Sequence, residues 1–397
     1  MQGHLSTIDS TTPAAATAWG GVVALALGAF ALVASEFMPV SLLTAIAADL
    51  QVSEGQAGQA ITVSGACALV TSLAIPALAR KMDRKTLLLG LTLLMIVSGT
   101  IAAWAPNYAV FMIGRAFIGV AIGGFWSMSA ATAMRLVPPD QVPKALAIVN
   151  GGNALATVVA APLGSFLGAL VGWRGAFFCL VPVALLALAW KKLSLPAMPA
   201  RSRLGKRTMF ALLKSAPVAL GMAAVSLFFM GQFALFTYLR PFLETATHAS
   251  AMTTSLMLLA IGVAGFIGTA LIGALIKERL YQTLVTIPLA MAAIAGALVV
   301  FGSSTGLTAI LLAFWGLLGT SAPVGWWSWL ARTLPDDAEA GGGLMVAVVQ
   351  LAIAAGAALG GVLFDAMGYQ ATFGLSATIL LVAAALALAA GRARSVA

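Results

Sequence analysis

The sequence predicts an all-α integral membrane protein with twelve spanning helices in two six-helix halves. Three observations predict it. The 397 residues are 61% hydrophobic and only 8% charged, with a mean hydropathy of +1.04, where a soluble domain carries about 25% charged residues. The apolar stretches recur as runs of about 17–25 residues, the length that crosses a bilayer as a helix. Finally, the chain matches itself weakly at an offset of about half its length.

Taken in order, the runs cover roughly 18–48, 56–79, 86–105, 108–134, 144–171 and 175–193 in the first half. The second half has 216–242, 250–276, 283–302, 305–333, 343–367 and 370–391. This divides the chain into a first half (1–193), a basic linker (194–215) and a second half (216–397). The linker carries Pro196 and Pro199 among basic residues and reads as a solvated cytoplasmic segment. With both termini cytoplasmic, all of the 21 basic residues except Arg115, Arg174 and Arg240 fall in or beside inside loops, Lys191 and Lys192 among them. Asp49, Glu54, Glu244 and Asp365 fall outside. That is the positive-inside pattern of a multi-pass membrane protein. It assigns the net charge of +9 to the membrane and not to nucleic acid. The segment before Ala18 has no Lys or Arg, so no cleavable signal peptide is expected.

A shift of 196 residues places Pro139 on Pro335, Asp140 on Asp336, Gly164 on Gly360, Gly172-Trp173 on Gly368-Tyr369 and Phe177 on Phe373. The same shift places Glu36-Phe37 on Gln232-Phe233. Two parallel six-helix repeats around a central site are the architecture of a secondary transporter of the major facilitator type.

Glu36, in Ser35-Glu36-Phe37-Met38-Pro39-Val40, is the one acid in the middle of a long apolar run. A carboxylate at membrane depth costs a few kcal/mol and normally faces a cavity or a partner. It is read as a proton-carrying group, against the plainer alternative of a carboxyl bonded to a neighbouring helix. Pro39 removes a backbone donor and can kink the helix. Arg115 is the second intramembrane charge: it either tunes proton exchange at Glu36 or is satisfied by helix carbonyls. Asn150, Asn153 and Thr157 share one face of the fifth span by their 3–4 spacing, and bind either a polar substrate or a neighbouring helix. Gln232 and Gln350 are thinner counterparts in the second half. Phe125 and Trp126, with Trp326 of the Trp326-Trp327-Trp329 cluster, are candidate walls for stacking a planar ring, against an interfacial belt role.

No Walker-type loop, His-Glu-x-x-His or Gly-x-Ser-x-Gly occurs, and the histidines are His4 and His248 alone, so an enzyme or ATP-driven pump is not expected. No metal or organic cofactor is expected, the proton being the coupling ion. Cys67 and Cys179 read as buried packing residues. The expected partners are the lipid bilayer and a small-molecule substrate, and the expected state is a monomer. A receptor, scaffold or channel of the same architecture fits less well.

Several runs resemble a known family. Arg115-x-x-x-Gly119-x-x-x-Gly123 resembles the fourth-helix motif of proton-coupled facilitator antiporters. Ala161-Pro162-Leu163-Gly164 resembles the fifth-helix signature of exporters, with Ala161 in place of its Gly. Asp83-Arg84-Lys85 resembles the basic end of the second-loop signature, with Asp83 replacing a Gly and Arg80 replacing an Asp. A closer resemblance, to purine ribonucleoside efflux pumps of the drug:proton antiporter branch of the major facilitator superfamily, runs through Glu36-Phe-Met-Pro-Val-Ser-Leu-Leu43, Gly123-Gly-Phe-Trp-Ser-Met-Ser129, Gly231-Gln-Phe-Ala234 and Val346-Ala-Val-Val-Gln-Leu351. It implies export of inosine-like nucleosides or purine analogues in exchange for protons. Sugar exporters share the Glu-Phe-x-Pro-Val element, so sugar or multidrug efflux by the same antiport remains the alternative.

Overall fold

Long helices follow the apolar runs closely. The computed structural model describes residues 18–79, 82–138, 141–199, 209–334 and 338–396. The first half contains α1 (Trp19–Leu50), α2 (Glu54–Ala79), α3 (Arg84–Ala103), α4 (Tyr108–Leu136) and α5 (Val142–Ser194). The second contains α6 (Ala216–Phe236), α7 (Leu239–Thr245), α8 (Ala251–Phe301), α9 (Thr305–Thr333), α10 (Ala338–Met367) and α11 (Tyr369–Val396). At 53 and 51 residues, α5 and α8 each extend roughly 75–80 Å at 1.5 Å per residue, enough for two passes. Each is broken near its middle, α5 at Gly172 (φ 74°, ψ 167°) and α8 at Arg279 (φ −125°, ψ 39°). Ten described helical segments are long and apolar enough to cross a membrane. Dividing the two double-length ones at their breaks accounts for the twelve spans of the sequence reading.

The seventh span runs over Ala216–Thr245 with a turn inside it. It breaks after Phe236, and Thr237-Tyr238 turn the chain into the short α7. Lys191 departs from expectation. Instead of joining the solvated basic set it is 2% exposed inside the first half, where its Nζ donates to Thr92 Oγ1 at 2.9 Å and lies 5.1 Å from the Phe125 ring centroid. Cys67 is half-buried and Cys179 exposed, so neither is the buried packing residue expected. The expectations on Arg80, Lys81, Pro139, Asp140, Arg201, Arg203, Lys206, Arg207, Pro335 and Asp336 lie outside the described residues.

The repeat is visible in the backbone. Gly172 and Gly368, paired by the 196-residue shift, adopt φ of 74° and 78°, a region open to glycine at little cost. Each makes the corner before the last span of its half. Beyond the corner, Trp173–Phe177 and Tyr369–Phe373 form edge-to-face pairs at centroid separations of 6.1 and 5.8 Å. Phe177 and Phe373 are both fully buried.

Within the first half, α1 packs along α5, and α2 and α3 pack on α4; in the second, α6 packs against α10 and α11, and α8 against α9 and α11. The halves meet where α2 lies along α10 and α5 along α8. Lipid tails remove most of the hydrophobic drive for helix association, so contact rests on close approach of small residues. Gly119 and Gly123 show this directly: a Cβ at either would collide with the α2 backbone at Ser64 or Ala68. Large side chains that remain exposed, such as Leu193, Val300 and Val362, fit the lipid-facing surface of such a bundle.

Candidate functional site

Pro39 organises the first part of the site. It sits inside α1 and has no N–H, so the carbonyl four residues earlier, that of Ser35, loses its helical donor. Arg115 supplies the missing bond: Nη1 donates to Ser35 O at 2.9 Å. Its other donors reach Glu36 O at 3.2 Å, Ala60 O at 3.3 Å and Ser64 Oγ at 3.4 Å. The Gly119/Gly123 stripe brings α4 close enough to α2 for this reach. Arg115 is 1% exposed and thus joins α4 to both α1 and α2. Of its two readings, satisfaction by helix carbonyls describes these bonds.

The side chain of Glu36 is buried beside this guanidinium, which acts on it through space. Across the interface, Gln350 of α10 turns its amide toward the same carboxyl. The contact falls short of a regular hydrogen bond, since Gln350 Nε2 has no partner within bonding geometry. The carboxyl thus lies near a cation of its own half and an amide of the other.

Next to it lies a cavity of about 70 Å³ lined by both halves, well below the roughly 300–1,000 Å³ of a site holding a drug-sized ligand, so in this state the halves are closed around it. Phe37 of α1, Thr157, Ala160 and Ala161 of α5, and Gln232, Phe233 and Phe236 of α6 line it, and α8 and α9 complete it with Leu258, Ile261, Gly262, Trp315, Gly316 and Thr320. Phe37 and Phe233, repeat mates in sequence, stack on one another with centroids 5.7 Å apart and planes at 25°. Phe236 meets them edge-on at 6.3 and 5.9 Å.

Of the residues expected to bind substrate, Thr157 and Gln232 line this cavity. Thr157 already donates to Asn153 O at 2.9 Å, whereas Gln232 Oε1 is buried without a partner. Asn153 is half-buried on the same face of α5, and Asn150, nearer the helix start, is exposed. The expected aromatic walls lie elsewhere. Phe125 is buried in the core of the first half with half-buried Trp126 edge-on at 5.5 Å, and Trp326 is buried in the second-half core against Trp329 at 5.9 Å. The rings at the cavity are Phe37, Phe233, Phe236 and Trp315, which the sequence reading did not single out. The alignment of Glu36-Phe37 with Gln232-Phe233 was the signal that could have found the first two.

The two ends of the bundle differ. At the end bearing Asp49, Glu54, Glu244 and Asp365, hydrogen bonds join the halves. Asp365 of α10 accepts from Ser53 Oγ and from Gly55 N (2.9 Å), capping α2 from the opposite half. Tyr238 OH donates to Ala357 O of its own half at 2.8 Å and approaches Gly55 O of the other at 3.5 Å. Arg240 donates to Ser41 O and to Ser165 Oγ, while Ser255 Oγ donates to Ser165 Oγ at 2.9 Å. At the basic end Asp83 acts within its own half, accepting from Thr86 N at 3.1 Å and from Met198 N at 2.5 Å.

Comparison with known proteins agrees with this architecture. Residues 25–342 match the family model described as Major Facilitator Superfamily. The chain is 62% identical over 387 residues, 96% of each chain, to a Pseudomonas aeruginosa protein named "Transcription regulatory protein OpdE". It is 40% identical over 366 residues, 92% of each chain, to the "Purine ribonucleoside efflux pump NepI" of Salmonella typhimurium. Among solved structures, it resembles a D-xylose-proton symporter (TM-score 0.72, 16% identity, 93% of this chain and 96% of that one). It also resembles the human organic anion transporter MFSD10 (TM-score 0.67, 18% identity, 93% and 98%). Twelve-span architecture, paired halves and family match agree: the chain belongs to the Major Facilitator Superfamily.

Proposed function

We propose that the chain is a proton-coupled antiporter that exports purine ribonucleosides or related purines across the bacterial cytoplasmic membrane. Its basic end and both termini are cytoplasmic in this reading, and it works as a monomer with the proton as its only coupling ion. The carrying observation is the buried Glu36 carboxyl, which lies near Arg115 of its own half and Gln350 of the other. A group so placed can convert protonation into a change in how the halves meet, because the two states of the carboxyl interact differently with an amide across the interface. The Asp365 and Arg240 bonds between halves at the acidic end support a state closed to the outside. Substrate enters the central cavity from the cytoplasm, proton uptake at Glu36 from outside drives the return, and the halves rock between the two.

Purines are favoured by the identity to the relative named a purine ribonucleoside efflux pump and by the flat rings of Phe37, Phe233 and Phe236 at the cavity. Everted membrane vesicles test the reading. With an imposed proton gradient they should accumulate radiolabelled inosine, and dissipating the gradient should abolish accumulation. Accumulation of a labelled sugar or cationic drug, but not inosine, would assign the cavity to that substrate class.

A further inference from the structure

Two residues of the cavity wall carry buried polar atoms with no partner: the acceptor Gln232 Oε1 and the donor Trp315 Nε1. Such atoms are rare in native proteins and call for a cause, since each leaves a desolvation cost of about 1–3 kcal/mol uncompensated. Gln232 lies on α6 and Trp315 on α9, and both line the same cavity. Gln232 packs over Gly319, where a Cβ would sit 2.8 Å from Nε2, and Trp315 lies one helical turn before Gly319. The absent side chain at 319 makes the room the Gln232 amide needs. The hydroxyl of Thr157, by contrast, is already engaged with the backbone.

From this pairing we infer that Gln232 and Trp315 are the specificity-determining residues of the cavity, reading a planar ring that carries a hydrogen-bond donor beside an acceptor, as in the lactam edge of a 6-oxopurine. The inference rests on the nucleoside reading above and extends it to the part of the substrate that is recognised. The indole N–H donates to the ring carbonyl, and the amide oxygen accepts from the ring N–H. The Phe37, Phe233 and Phe236 rings stand at the same cavity to cover the base. A site built to satisfy a polar edge rejects an analogue lacking it far more strongly than an apolar pocket rejects a change of size, because its own buried groups stay unpaired. An apolar drug would leave both orphaned.

Equilibrium binding to the purified full chain tests this with inosine, 1-methylinosine (ring N–H blocked) and 6-thioinosine (ring N–H kept, carbonyl replaced by a weakly accepting thione). Wild type should bind each analogue roughly 5- to 150-fold more weakly than inosine, the range that 1–3 kcal/mol spans. Trp315→Phe should bind inosine and 6-thioinosine alike, and Gln232→Met should bind inosine and 1-methylinosine alike. Each variant removes one arm of the pair, so either one, confirmed folded by its thermal melt, suffices. Inosine binding with wild-type discrimination in a folded variant overturns the pair and leaves the nucleoside reading standing. No inosine binding to folded wild type overturns both.

Discussion

Arg115 donates to the carbonyl of Ser35, the one that Pro39 leaves without a donor of its own helix. A helix defect in α1 thus becomes an anchoring point for a buried cation of α4. The relationship predicts a coupling between distant sequence positions. Arg115→Met should cost about 1–3 kcal/mol by orphaning buried carbonyls. In a Pro39→Ala background the cost should shrink, because residue 39 then supplies its own N–H to Ser35 O. A double-mutant cycle on unfolding in detergent micelles should give an interaction energy of about 1 kcal/mol; strict additivity would sever the link.

Phe37 and Phe233 stack across the pseudo-twofold relation. Aromatic pairs of this kind contribute about 0.5–1.5 kcal/mol beyond area burial. Alanine at either position should therefore weaken inosine binding several-fold, and the double variant should lose less than the sum of the two. Binding isotherms of the single and double variants check this.

Asp365 caps α2 from the other half. Removal of an N-cap costs about 0.5–2 kcal/mol, and here that loss falls on one conformational state only. Asp365→Ala should shift the balance toward opening at the acidic end by roughly 2- to 30-fold. The readout is labelling of an Ile61→Cys reporter by a membrane-impermeant thiol reagent in whole cells, in a chain with Cys67 and Cys179 replaced. Labelling no faster than in the Asp365 parent would show that the cap holds no gate.

Lys191 places its ammonium where a Cβ on Gly28 would fall. Gly28→Ala should therefore destabilise the first half by about 1–3 kcal/mol through overpacking. Lys191→Ala in the same chain should restore most of that loss. Thermal melts of the two variants and their combination measure it.

Much of the fold was legible because lipid leaves the chain few options. Every spanning segment must satisfy its own backbone, so each apolar run becomes a helix. The alignment of Gly172 with Gly368 was legible as a repeat match, but the corner each makes shows only in the backbone, at a positive φ that glycine adopts at little cost. Glu36 announced itself as the lone acid of a long apolar run. Pro39 was readable as a kink, but the recipient of its freed carbonyl was not, because that depends on how α4 sits on α1 and α2. The cavity walls were least legible. When nearly every face of a helix is apolar, composition cannot tell a core ring such as Phe125 or Trp326 from a cavity ring such as Trp315. Lys191 lay near a helix end among basic neighbours, and only the packing of α1, α3 and α4 around it shows that it turns inward.

The central claim is that Glu36 couples protons to substrate movement. Its most direct measurement compares two modes of inosine transport by Glu36→Gln protein reconstituted in liposomes. Net transport driven by a proton gradient should vanish, while exchange of internal for external inosine without a gradient should persist, because the variant keeps the cavity and loses only the titratable group. Gradient-driven transport at the wild-type rate by a correctly folded Glu36→Gln protein would contradict the account and place the coupling group elsewhere.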